Sequence, residues 1–199
     1  MKIGIIDYGA GNLHSVSNAL KYLGYNIKFI TAESDFTGFD KLIFPGVGNA
    51  RKTMELLNNS GMEKLIICEI NKGIPLLGIC LGMQLLLDYS EEGGTDSLGV
   101  IEGHTERFRD NIKVPHIGWN QVEAESHYIF KGIPNKTYYY FVHSYFASTI
   151  NPKETVGVTE YGNVRYSSVI SKDNVVGVQF HPEKSGECGL LLLNNFCGS

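Results

Sequence analysis

The sequence predicts an α/β fold with a mostly parallel central sheet flanked by helices and antiparallel strands added in the second half. Three observations predict it. Short apolar runs alternate with segments of helical periodicity through the first half, the order expected of parallel strands joined by crossover helices. In the second half that periodicity fades, and β-branched and aromatic runs separated by Gly, Asn and Pro take over. The chain of 199 residues is 43% hydrophobic and 19% charged, enough for one sizeable core. No linker, low-complexity tract or repeat interrupts it, so one domain over residues 1–199 is expected.

The elements follow in order. "KIGIID" (Lys2–Asp7) is a short apolar run that suits a buried strand. "NLHSVSNALKYLGY" carries Leu13, Val16, Leu20 and Leu23 at helical spacing. "NIKFI" (Asn26–Ile30) and "DKLIFPG" (Asp40–Gly46) are the next strands. Two helical patterns follow, Ala50–Asn59 and Met62–Asn71, broken at Ser60-Gly61. "IPLLGIC" (Ile74–Cys80) is a strand punctuated by Pro75, and "LGMQLLLDY" (Leu81–Tyr89) an apolar helix. Antiparallel strands are expected within Leu98–Phe108, His116–Glu125, Lys136–Ser148, Thr155–Ser171 and Asn174–Ser185, and a last helix at Gly189–Phe196.

The bulk properties exclude several classes. Net charge is −4 and no Lys/Arg cluster occurs, so no nucleic-acid surface is expected. The longest apolar stretch, Leu76–Leu87, contains two glycines and Gln84. It falls short of the roughly 20 residues that cross a bilayer, so no membrane span is expected. "MKIGIIDYGAG" turns polar too soon for a signal peptide. Cys68, Cys80, Cys188 and Cys197 lie far apart without a C-x-x-C pair, which points to free thiols in a reducing cytoplasm and to no zinc site.

Gly78-Ile79-Cys80-Leu81-Gly82 is G-x-C-x-G at an expected strand-to-helix junction, the thiol counterpart of the G-x-S-x-G elbow. Flanking glycines would let strand and helix backbones approach, and the positive end of the helix dipole would favour a thiolate. The backbone N–H of Leu81 would be free to bind an oxyanion. Taken alone, the motif equally describes a buried structural cysteine.

His181 and Glu183, at i and i+2 around Pro182, break that tie. They follow the apolar run Val175–Phe180, and a nucleophilic thiol needs a base whose ring a third group fixes. At a strand end alternate residues share a face, so imidazole and carboxylate can point the same way. The other histidines compete poorly. His14 lies in a helix pattern, His104 and His127 in polar surroundings, and His116 and His143 in strand-like runs without a carboxylate at short spacing. Pro45-Gly46-Val47-Gly48 offers a peptide group between glycines that could turn its N–H inward as an oxyanion donor; it reads nearly as well as an ordinary βα loop.

"LLGICLGMQLL", "QFHPEKS" and "PGVG" together resemble the class I (triad-type) glutamine amidotransferases. "IDYGAGNLHSV", "KVPHIGWNQV", "HSYF" and "GVQFHPEKSG" narrow the resemblance, along the whole chain, to the glutaminase subunits of imidazole glycerol phosphate synthases. The resemblance implies Cys80 as nucleophile, His181 as general base and acid, Glu183 as the orienting carboxylate, and Val47 and Leu81 as backbone oxyanion donors. It implies that Gly48, Gln84, Ser144 and Tyr145 contact glutamine, and that Trp119 and Asn120 lie towards a partner near the ammonia exit. It further implies hydrolysis of glutamine to glutamate and ammonia through a thioester, with no metal or organic cofactor. The ammonia would pass to a (β/α)8-barrel cyclase, in a 1:1 heterodimer, for histidine biosynthesis. "HPEKSGECG" and the end "NNFCGS" are mild departures that leave the triad intact.

Two rival readings have their own marks. "GAGNLH" (Gly9–His14), with Glu33 about 20 residues on, mimics part of a dinucleotide fingerprint and would make the chain a nucleotide-binding module. It fails at the third glycine position, which is His14. A paralogous glutaminase feeding amidination of surface sugars would share every active-site motif.

Overall fold

The computed structural model describes residues 1–9, 12–32, 36–109 and 112–199. Its first half runs β1 (Lys2–Ile6), α1 (Leu13–Tyr22), β2 (Asn26–Ile30), β3 (Lys41–Gly46), α2 (Ala50–Ser60), α3 (Met62–Asn71), β4 (Leu76–Cys80) and a single turn, α4 (Leu81–Gln84). Its second half runs β5 (Tyr89–Ser90), β6 (Thr95–Asp96), β7 (Gly103–Arg107), β8 (His116–Ala124), β9 (Thr137–His143), β10 (Tyr145–Thr149), β11 (Thr155–Tyr161), β12 (Val164–Lys172), β13 (Val175–Val178) and α5 (Gly186–Gly198).

Strands β2, β1, β3, β4 and β13 lie side by side and parallel. From β13 the sheet continues antiparallel through β12, β10 and β7. Strand β11 pairs with β12 and, at its other edge, with β8, which carries β9 as a hairpin partner. A parallel sheet needs cover on both faces, and the period-2 pattern supplies two apolar faces. Ile3, Ile5, Ile43, Leu77 and Ile79 face the core shared with α1 and α5. Ile6, Leu42, Phe44 and Leu76 face the core shared with α2 and α3.

Local chemistry fixes the helix ends. Asn49 caps α2 by accepting from the Lys52 N–H at 3.1 Å. Gly61, at φ 72°, turns the chain from α2 directly into α3. The buried Lys41 ammonium on β3 donates to the Phe196 carbonyl at 2.6 Å and ties the end of α5 to the sheet.

The structure corrects the expected helix Leu81–Tyr89, which stops at Gln84. Leu85, Leu86 and Leu87 are fully buried, so an exposed face never develops. Their carbonyls are taken by the segment that follows: Leu98 N–H donates to Leu85, Val100 and Ile101 to Leu86, and Gly99 to Leu87. A returning loop thus accounts for the hydrogen bonds that a longer helix would have made. The run Lys136–Ser148 divides into β9 and β10 at Ser144, and the last helix starts at Gly186, earlier than its apolar run.

Candidate active site

The three motifs meet because β3, β4 and β13 are adjacent and parallel, so their carboxyl ends open on one crevice. Gly46 pairs with Cys80, which places the Val47–Gly48 loop beside the cysteine. Val178 pairs with Ile79, so the segment after β13 brings His181 to the other side.

Cys80 sits at φ 55° and ψ −109°, a conformation L-residues avoid, at a typical cost of about 1–3 kcal/mol. Paired strands on both sides hold it there. The close approach accounts for the two glycines. A Cβ on Gly82 would collide with the Phe44 carbonyl oxygen, and one on Gly78 would lie 2.8 Å from the Met83 nitrogen. Because α4 is a single turn, it does not supply the dipole of the longer helix the sequence suggested.

His181 and Glu183 form a closed pair. Nδ1–H of the imidazole donates to Glu183 Oε1 at 2.8 Å, and both side chains are buried. That bond leaves Nε2 for the cysteine; it closes no hydrogen bond of good geometry among the described residues. Burial alone would push the imidazole down, but interactions with Cys80 and Glu183 outweigh it and raise the pKa to about 10. The turn carrying the pair is anchored to β9. His181 N–H donates to the Tyr140 carbonyl at 2.9 Å. Ser185 Oγ accepts from Tyr140 N–H at 3.0 Å and donates to the His181 carbonyl at 2.6 Å.

A cavity of about 340 Å³ opens over these groups. Cys80, Leu81 and His181 line it with Val47 and Gly48, where φ is +111°. Gln84, Ser144 and Tyr145 line it as well, so every expected substrate contact borders one space. Trp119 and Asn120 are not on its wall. Alternation along β8 sends Trp119 to the surface, 56% exposed, while Asn120 donates to the Glu160 carbonyl at 2.8 Å. Of the dinucleotide-like pattern, Gly11 and Glu33 lie outside the described residues, and His14 is exposed on α1.

Sequence reasoning missed several lining residues. Glu92 is the one carboxylate on the described wall; it accepts from the Ala50 N–H at 2.7 Å, and burial raises its pKa. Its "EEGG" context carries no spacing signal. His143 also borders the cavity, with a ring nitrogen 2.8 Å from the Tyr145 carbonyl and the other 3.1 Å from His116. It opens the "HSYF" stretch, but what it faces follows from the β8–β9 register, which pairs His116 with His143.

The family of class-I glutamine amidotransferases matches residues 4–197. The chain belongs to this family. Among its amidotransferase relatives, the imidazole glycerol phosphate synthase subunit HisH of Caldanaerobacter subterraneus subsp. tengcongensis is 48% identical, covering 98% of this chain and 96% of that protein. The same-named subunit of Methanocaldococcus jannaschii is 47% identical over 98% of this chain and 97% of its own length. A solved structure of PurLQS from Thermotoga maritima superposes with a TM-score of 0.79 at 16% identity, covering 99% and 97% of the two chains. At that identity the likeness speaks for the amidotransferase fold alone. No helix among the described residues is long and apolar enough to cross a membrane.

Proposed function

We propose that this amidotransferase is the glutaminase subunit of an imidazole glycerol phosphate synthase, a single cytoplasmic domain that makes ammonia for a partner. The observation that carries the reading is the meeting of Cys80 with the His181–Glu183 pair at adjacent strand ends over one cavity. The curated relatives, similar along nearly their whole length, supply the pathway.

In this mechanism Cys80 attacks the side-chain amide carbon of glutamine, and the N–H groups of Val47 and Leu81 hold the oxyanion. His181 passes its proton to the leaving nitrogen, the C–N bond breaks, and ammonia departs from a thioester. His181 then takes a proton from water, which attacks the thioester carbon, and glutamate leaves as the thiol re-forms. Gln84, Gly48, Ser144 and Tyr145 contact the bound glutamine. The Glu92 carboxylate suits the substrate's α-ammonium group.

The ammonia passes to a (β/α)8-barrel cyclase bound 1:1. Ile117 and Trp119 on β8 and Tyr138 on β9 are each more than half exposed. Trp119 pairs with Tyr140 and Ile117 with Val142, so these side chains share the outer face of one hairpin. Val142 also lines the cavity, so an apolar aromatic surface adjoins the site, as a docking face would.

The test is glutamate release from glutamine, with the chain alone and then with cyclase and its ribonucleotide ligand. Strong stimulation by both is expected; glutaminase activity indifferent to that cyclase would assign another acceptor. Cys80→Ala should abolish glutamine-fed synthesis and spare synthesis fed by ammonium salts. Loss of both would mark Cys80 as structural.

A further inference from the structure

Gln179 is fully buried two residues before His181, and neither the triad nor the oxyanion donors account for it. Its side-chain nitrogen lies 3.7 Å from Cys80 Sγ, and its side-chain oxygen 3.0 Å from Gln84 Nε2. The partners decide which end is which. Gln84 Nε2 also lies 2.8 Å from the Tyr145 carbonyl, which can only accept, so this end of Gln84 is the NH2 group. The atom of Gln179 facing it must then be the acceptor, and the NH2 of Gln179 is left pointing at sulfur. His143 Nδ1–H donates to the same Tyr145 carbonyl at 2.8 Å.

Besides its interaction with His181, the sulfur lies 3.9 Å from the Val142 carbonyl. The Val142 and Gln179 contacts suit different protonation states. A thiol can donate to the carbonyl; a thiolate is repelled by that oxygen and can only accept, which the Gln179 N–H allows.

We propose that Gln179 is a catalytic residue whose amide N–H bonds to the Cys80 sulfur, stabilises its thiolate and holds its aim into the cavity. This rests on Cys80 being the nucleophile. No atom is exchanged with Gln179: the hydrogen bond tightens as the thiol proton passes to His181 and relaxes once sulfur joins the substrate carbon.

The experiment replaces Gln179→Met, which keeps volume and removes the N–H. Alkylation of Cys80 by iodoacetamide is followed peptide by peptide across pH in the subunit, and kcat and KM for glutamine are measured with the cyclase bound. Cys80 alkylation at pH 7 should slow about tenfold, the size of a hydrogen bond to a charged group, and its pH profile should move upward. The exposed Cys68 should react as before. The kcat should fall about tenfold and KM less than twofold. Unchanged Cys80 alkylation in the folded variant overturns the proposal, as does slowed alkylation with unchanged kcat. If Gln179→Met does not fold, Gln179→Leu decides, because it too lacks the N–H, and an unchanged alkylation rate overturns the proposal. Glutamine hydrolysis surviving in Cys80→Ala would instead sink the nucleophile reading itself.

Discussion

At the scale of single residues, the site is held in conformations and protonation states that the chain would not adopt unaided. Cys80 at φ 55° is strained whether its side chain is sulfur or methyl, and only glycine relieves it. Cys80→Gly is therefore expected to be more stable than Cys80→Ala by about 1 kcal/mol, the reverse of the usual order, in paired chemical denaturations. The two neighbouring histidines set a pH limit on the fold. Burial pushes His143 down to about 3 and His116 to about 4. Unfolded, both return to about 6.5, so between that pH and the folded values the unfolded chain binds more protons. Stability then rises with pH across this window and is fully present above about 6.5. Acidification from about pH 7 to 4.5 should cost on the order of a few kcal/mol, and the double change His116→Gln with His143→Gln should flatten that dependence in thermal melts.

At the scale of elements, the turn after β13 stands or falls with β9. Ser185→Ala removes one oxygen that accepts from the Tyr140 N–H and donates to the His181 carbonyl, leaving that N–H unpaired and the carbonyl held by the Lys184 N–H alone. A loss of about 2 kcal/mol is expected in denaturant titrations, with kcat for glutamine falling more than KM changes. The elements also explain what was legible in the sequence. Cys80 with its glycines, and His181 with Glu183, could be read because each is a short local pattern at a strand end. The length of α4 could not be read, because a loop beginning at Leu98 captures the carbonyls of Leu85, Leu86 and Leu87. Glu92 carries no local signature, and "HSYF" and "GVQFHPEKSG" hold His143 and Gln179 without saying what either faces. Their meeting depends on strand order and register, which periodicity does not encode.

At the scale of the molecule, the parallel sheet is what turns three distant motifs into one site, because β3, β4 and β13 end together. The alternation of short strands and helices announced such a sheet, but not that β13, from the far end of the chain, would lie against β4. The antiparallel part contributes the outward face of the β8–β9 hairpin. Trp119→Ser combined with Tyr138→Ser should weaken binding of the proposed cyclase partner by about 2 kcal/mol or more in calorimetric titrations, while the melting temperature of the chain alone changes little.

Strand β9 joins the outer surface to the site. Its outer side chains meet the solvent beside Trp119, while its backbone holds His181 through Tyr140 and offers the Val142 carbonyl to Cys80. A protein gripping that hairpin needs no relay to reach the proposed chemistry: the turn of His181 hangs from β9, and Cys80, held on β4, faces its Val142 carbonyl. Whatever slides β9 resets the spacing of the two in a single stroke.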